Sequence, residues 1–87
     1  MERIVNDYIS HEIVQDPAHL PLSNETSLLE EGILDSLSLL RLVVFLEERF
    51  GITVGEADLL PENFASVSTI CSYLRSREPE RRGALHG

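Results

Sequence analysis

The sequence predicts an all-α fold: a small bundle of three main helices, with a short helical turn before the last and a long loop between the first two. Apolar residues recur at three- and four-residue spacing in three separate stretches, no strand alternation survives counting, and segments bearing proline and glycine divide the stretches. With 87 residues the chain has the length of one domain, enough for one modest core and too little for a second domain or a deep substrate cleft.

In chain order, Ile4, Val5, Tyr8, Ile9, Ile13 and Val14 predict helix one over roughly residues 2–15. Asp16-Pro17 closes it, because a residue before proline is pushed out of the helical region. From Asp16 to Asp35 the pattern dissolves among Pro17, Pro21, Ser23, Asn24 and Gly32. Leu20, Leu22, Leu28 and Leu29 are expected to pin this loop onto the core, with a turn of helix over 26–31. The next stretch, Ser36 to Phe50, holds neither glycine nor proline; Asp35 is suited to cap its start and Gly51 to supply the left-handed residue at its end. Leu39, Leu42, Val43, Leu46 and Phe50 form a stripe for the core, and Leu37, Leu40, Val44 and Glu47 a second, flanking stripe. This helix therefore has more apolar surface than one buried face needs. Ile52-Thr53-Val54 is too short to argue a sheet, and Glu56 to Phe64, around Pro61, suggests a loop with one short helical turn. Ser66 is suited to cap the last helix, where Val67, Ile70, Cys71 and Leu74 fall at i, i+3, i+4 and i+7 over roughly 67–77. Beyond it Pro79 and Gly83 break structure and no apolar stripe docks the chain, so 1–77 is the expected domain and 78–87 a disordered tail.

Composition narrows the function. Fifteen acids stand against seven basic residues, all arginine, for a net charge of −8, which opposes binding to nucleic-acid phosphates and points to basic partners. Four of the arginines fall in residues 75–87, a separate compositional segment. Arginine without lysine fits a GC-rich bacterial genome. One cysteine, Cys71, excludes an intramolecular disulfide, a zinc knuckle and a CxxC pair, and its place on the last apolar stripe makes it a small buried hydrophobe. The longest apolar run, Leu42–Leu46, is far too short to span a bilayer, and the N-terminal residues lack a secretory pattern, so the expected location is the cytoplasm. His11, His19 and His86 have no metal-ligand or Ser-His spacing, Ser36 lies in no Gly-x-Ser-x-Gly elbow, and Glu30 and Glu31 lack calcium-loop spacing.

Chemistry concentrates at Gly32-Ile33-Leu34-Asp35-Ser36-Leu37, where a hydroxyl opens the best helix immediately after an acid. Two accounts stand side by side: Asp35 and Ser36 simply cap the helix, or Ser36 is an exposed attachment point. A phosphate there would sit at the positive end of the helix dipole near unpaired N–H groups, with repulsion from Asp35 largely screened by solvent.

The run GILDSLSLLRLVVFLEERFGI, continued by SVSTICSYL, resembles the acyl carrier protein family over about residues 2–77. The resemblance implies a four-helix bundle whose short third helix is the 56–64 segment, with Asp35-Ser36-Leu37 as the motif opening helix two. It further implies that Ser36 bears 4′-phosphopantetheine, moved from coenzyme A by a phosphopantetheinyl transferase, and that the arm's thiol holds cargo as a thioester. Such a protein transports and does not catalyse. The expected docking surface is the flanking stripe: Leu37, Leu40 and Val44 as apolar contacts, Glu47 and Glu48 as charges; the other reading buries Leu40 and Val44 in the core. Phe45, which shares a face with Ser38, Arg41 and Glu48, fits either a partner contact or a cover over the long loop.

Carriers of fatty acid synthesis typically place acids where this chain has Ser38 and Arg41. The GILDSL lead-in is instead similar to free-standing carriers loaded by adenylating acyl or aminoacyl ligases, which implies a specialised-metabolite pathway with downstream acyl-transferring or tailoring enzymes. The alternatives are a fatty-acid carrier and, from another class, an unmodified acidic helical interaction module with Ser36 as a cap. All of these predict a monomer.

Overall fold

The computed structural model describes the backbone of residues 1–86 and the side chains of residues 1–77. Helix α1 spans Glu2–Tyr8 and passes into one π-helical turn, Ile9–Ile13, which buries Ile9 and Ile13 beside Val5. Val14 is already extended, so helix one ends two residues short of the expected 15. Asp16 then caps a 3₁₀ turn, Pro17–His19, its Oδ1 accepting the Ala18 N–H at 2.9 Å. Pro17 suits a first helical position because the N–H it lacks would go unused there.

The long loop is held by buried apolar side chains together with hydrogen bonds to its backbone. Leu22 and Leu28 are buried as expected, but Leu20 and Leu29 are exposed and pin nothing. Asn6 on α1 donates through Nδ2 to the Leu22 carbonyl and to Asn24 Oδ1, and the Leu28 N–H reaches the Ala65 carbonyl at 2.7 Å. The expected turn forms slightly later, opening with the Glu31 N–H on the Ser27 carbonyl. It closes as a Schellman motif: Gly32 has φ +72°, its N–H bonds to Leu29 O, and the Ile33 N–H bonds to Leu28 O. Ile33 and Leu34 are thereby turned into the core.

Helix α2 spans Ser36–Phe50, between the expected caps; Gly51 ends it at φ +65°. Leu42, Val43 and Leu46 are buried, with Leu39 and Phe50 packed at the edge. Burial of a residue such as Leu42 or Leu46 contributes about 1.5–3 kcal/mol. Phe45 is half-buried, and its ring stacks on Tyr8 of α1, centroids 3.9 Å apart and 9° from parallel.

No strand forms among the described residues, and the Val54 N–H bonds to Glu47 Oε2 at 2.9 Å. In place of a short third helix the 56–64 segment makes two 3₁₀ turns, Glu56–Asp58 and Pro61–Asn63. Pro61 explains the division, since it holds Leu60 extended (φ −102°, ψ 143°) and offers no N–H to continue a helix. The described residues therefore form three α-helices, the last being α3, Val67–His86. The backbone of α3 runs past the expected end near residue 77, and the side chains of the expected tail, 78–87, lie outside the described residues. Val67, Ile70, Cys71, Tyr73 and Leu74 bury its inner face. Arg75 and Arg77 belong to the folded domain, not to a separate segment: Arg75 pairs with Glu2 on α1, and Arg77 reaches Asp58 Oδ2 at 2.8 Å, where the Tyr73 hydroxyl also donates.

Candidate functional site at the start of helix α2

The start of α2 is built by a reciprocal capping box. Asp35 Oδ1 accepts the Ser38 N–H at 2.8 Å, and Ser38 Oγ accepts the Asp35 N–H at 2.9 Å. The Ser38 amide and hydroxyl together hold the Asp35 carboxyl below the usual carboxylate range, so it stays charged. Ser36 is the first residue of the helix and is exposed, and its hydroxyl makes no hydrogen bond to any described residue.

The first-turn N–H groups of any helix lack intrahelical partners. In α3 one of these, Ser68 N–H, is taken by the Asn24 carbonyl, whereas in α2 the Leu37 N–H faces the Asp35 carboxylate and the Ser36 N–H meets no backbone carbonyl among the described residues. An exposed hydroxyl at the positive end of a fifteen-residue helix accommodates a phosphodiester.

Residues 11–74 match the family described as "Phosphopantetheine attachment site". "Probable acyl carrier protein PigG" of Serratia sp. (strain ATCC 39006) is 32% identical over 65 residues, covering 72% of this chain and 75% of the relative. The chain belongs to the acyl carrier protein family.

It is thus a carrier and not an enzyme, its cofactor is covalently attached 4′-phosphopantetheine, and it meets phosphopantetheinyl transferase and biosynthetic enzymes. On the carrier's flanking stripe, Leu37 is 70% exposed, Leu40 55% and Val44 52%, so none of them is core. Glu48 is exposed beside them, but Glu47 is half-buried and its carboxylate accepts the Val54 N–H. Sequence reasoning missed the structural use of Ser38, although an Asp-x-x-Ser spacing carries the capping-box signal.

The remaining candidates stay dispersed. His11 Nδ1 lies 2.7 Å from the Asp7 carbonyl of its own helix, His19 Nε2 is 3.8 Å from Glu31 Oε1, and the His86 side chain is outside the described residues. Glu30 and Glu31 are exposed, and no metal-ligating group of three forms among the described residues. Cys71 is fully buried, and that burial pushes its thiol up to about 11. Among the described residues, no helix is long and apolar enough to cross a membrane.

Proposed function

We propose that Ser36 is the residue on which this carrier bears its arm, that residues 1–77 are the carrier domain, and that adenylating ligases load it with an acyl or aminoacyl group for specialised metabolism in the cytoplasm. The observation that carries the attachment is the position of Ser36: an exposed, unengaged hydroxyl at the first residue of α2, inside the matched region. Other exposed serines fit less well. Ser23 accepts the Glu25 N–H, Ser76 donates to the Tyr73 carbonyl, and Ser72 lies in the body of α3.

In the loading step the Ser36 oxygen forms a bond to phosphorus, its proton leaves to the transferase, and the nucleotide half of coenzyme A is released. The arm then supplies a thiol that holds cargo as a thioester. Asp35 and Ser38 fix the backbone direction from which Ser36 projects. Leu37, Leu40 and Val44 offer partners an apolar strip, bordered by Glu48 and, more weakly given its bond to Val54, by Glu47. An acidic monomer with such a strip favours fast encounter with basic partners and ready release. Ser38 and Arg41, where fatty-acid carriers place acids, support the adenylating-ligase branch, and the capping box shows what Ser38 does instead.

Intact-protein mass tests the attachment. Incubated with coenzyme A, magnesium and a broad-specificity transferase, the carrier should gain one phosphopantetheine, and Ser36→Ala none; gain by the alanine variant would move the site elsewhere. Leu40→Glu should slow loading severalfold while stability stays within about 0.5 kcal/mol, as for other exposed positions. Supplying the loaded carrier with an adenylating ligase plus ATP, or with an acyl-coenzyme A and acyltransferase, separates the two pathways; acylation by the second route alone would sink the specialised-metabolite reading.

A further inference from the structure

One edge of the exposed strip on α2 carries two charges of opposite sign. Arg41 lies four residues after Leu37 and three before Val44, and Glu48 lies four after Val44, so both border the same side of the apolar residues. Both are exposed, and the seven residues between them separate them by about 10.5 Å along the axis at 1.5 Å per residue. The other edge holds Leu40 and Glu47, and the Glu47 carboxylate is already engaged by the Val54 N–H. We infer that Arg41 pairs with a carboxylate on the enzyme that loads the arm, which rests on Leu37, Leu40 and Val44 being the docking strip.

Among the described residues Arg41 has no ion pair. The positions one turn away along α2 are Leu37, Ser38, Val44 and Phe45, none of them an acid, and no carboxylate of another described element lies within ion-pair reach. Arg75 and Arg77, by comparison, spend their charge inside the fold on Glu2 and Asp58. The backbone that bears Arg41 is nonetheless anchored: the Tyr8 hydroxyl donates to its carbonyl at 3.5 Å, and the Tyr8 ring stacks on Phe45 one turn further on. An anchored arginine with its guanidinium in solvent, on a chain of net charge −8, is placed to take an external anion, and the planar guanidinium matches a carboxylate through two parallel hydrogen bonds.

The two signs also give the edge a direction. A row of acids alone presents much the same potential to a basic surface in either orientation, or slid by a turn. A cation near the Ser36 end with an anion beyond it matches a partner's acid and base in one orientation and one register. An enzyme with a base opposite Arg41 is turned away, because like charges pressed together at an interface cost affinity. The overall negative charge draws basic enzymes near, and Arg41 selects among them.

The test measures kcat and KM for acylation of the arm-bearing carrier by the adenylating ligase, or the acyltransferase, that loads it. Arg41→Glu makes the carrier more acidic, so a uniformly basic partner would give a lower KM. The inferred pairing instead raises KM about tenfold with kcat near the parent value, and Arg41→Lys keeps most of the affinity. Arg49→Glu makes the same change of charge away from the strip, where Arg49 lies over the Phe50 ring, and should leave KM within about twofold. Because the chain has no lysine, Arg41→Lys also gives it a single ε-amine. Carbodiimide coupling to the enzyme should then join position 41 to an Asp or Glu, located by peptide mass mapping. A KM that falls or holds in Arg41→Glu, or coupling that joins position 41 to no carboxylate of the enzyme, would overturn the pairing. Leu40→Glu run alongside keeps the two readings apart: lost affinity there with none in Arg41→Glu leaves the docking strip standing, and no loss in either removes strip and pairing together.

Discussion

Helices α2 and α3 begin with the same device and put it to different ends. Asp35 and Ser38 exchange hydrogen bonds across the start of α2; Ser66 and Thr69 do the same for α3, with Thr69 N–H on Ser66 Oγ at 3.2 Å and Ser66 N–H on Thr69 Oγ1 at 3.0 Å. What differs is the surroundings. At α3 the cap is buried, its first helical residue is Val67 with no exposure, and the next, Ser68, gives its N–H to Asn24 and its hydroxyl to Glu25. At α2 the cap is exposed, the first helical residue is a hydroxyl, and the long loop leaves the opening turn uncovered. One terminus is consumed by the fold and the other is kept available, so capping geometry by itself identifies no chemistry.

The largest test of that contrast removes the hydroxyl that only α2 presents. Ser36→Ala should abolish arm gain completely, read by mass, while urea unfolding shifts by no more than about 0.5 kcal/mol because the side chain is exposed and unengaged. The reciprocal change at α3, Val67→Ser, places a hydroxyl in the core; it should cost about 1–3 kcal/mol in urea unfolding and create no second attachment site. Ser66→Ala removes the buried cap oxygen and should cost about 1 kcal/mol with loading intact. The smallest effect concerns pH. The folded Asp35 carboxyl titrates below its unfolded range, so its stabilising contribution is fully present above that range and is lost as pH falls through the folded value. A thermal-melt series in acid should therefore fall less steeply for Asp35→Asn than for the parent, since the amide keeps a cap oxygen but does not titrate; parallel curves would show that the capping bond does not perturb Asp35.

Legibility followed sequence distance. The limits of α2 were readable because both ends are set locally, by Asp35 and by a left-handed Gly51, around a run free of breakers. Ser36 stood out for the same reason. Arg75 and Arg77, by contrast, looked like part of a basic tail, since their partners Glu2 and Asp58 lie 73 and 19 residues away. Phe45 was ambiguous until Tyr8 came to face it across the helices. A cleft between the end of helix one and the start of α2 was equally hidden: its walls come from residues 13–19 and 32–41, and no periodicity links those two stretches. The third helix failed for a local reason that was visible, Pro61, whose effect on Leu60 outweighed the expectation set by the resemblance.

Burial of Cys71 has a consequence for cargo fidelity. A thioester is open to exchange with any thiolate it meets, and the carrier's single cysteine could in principle take the acyl group from the arm. With its sulfur enclosed by the core and its thiol pushed up to about 11, Cys71 offers neither access nor a thiolate at neutral pH. The folded chain is chemically silent toward its own freight, and in the intact loaded protein thiol exchange is confined to the arm.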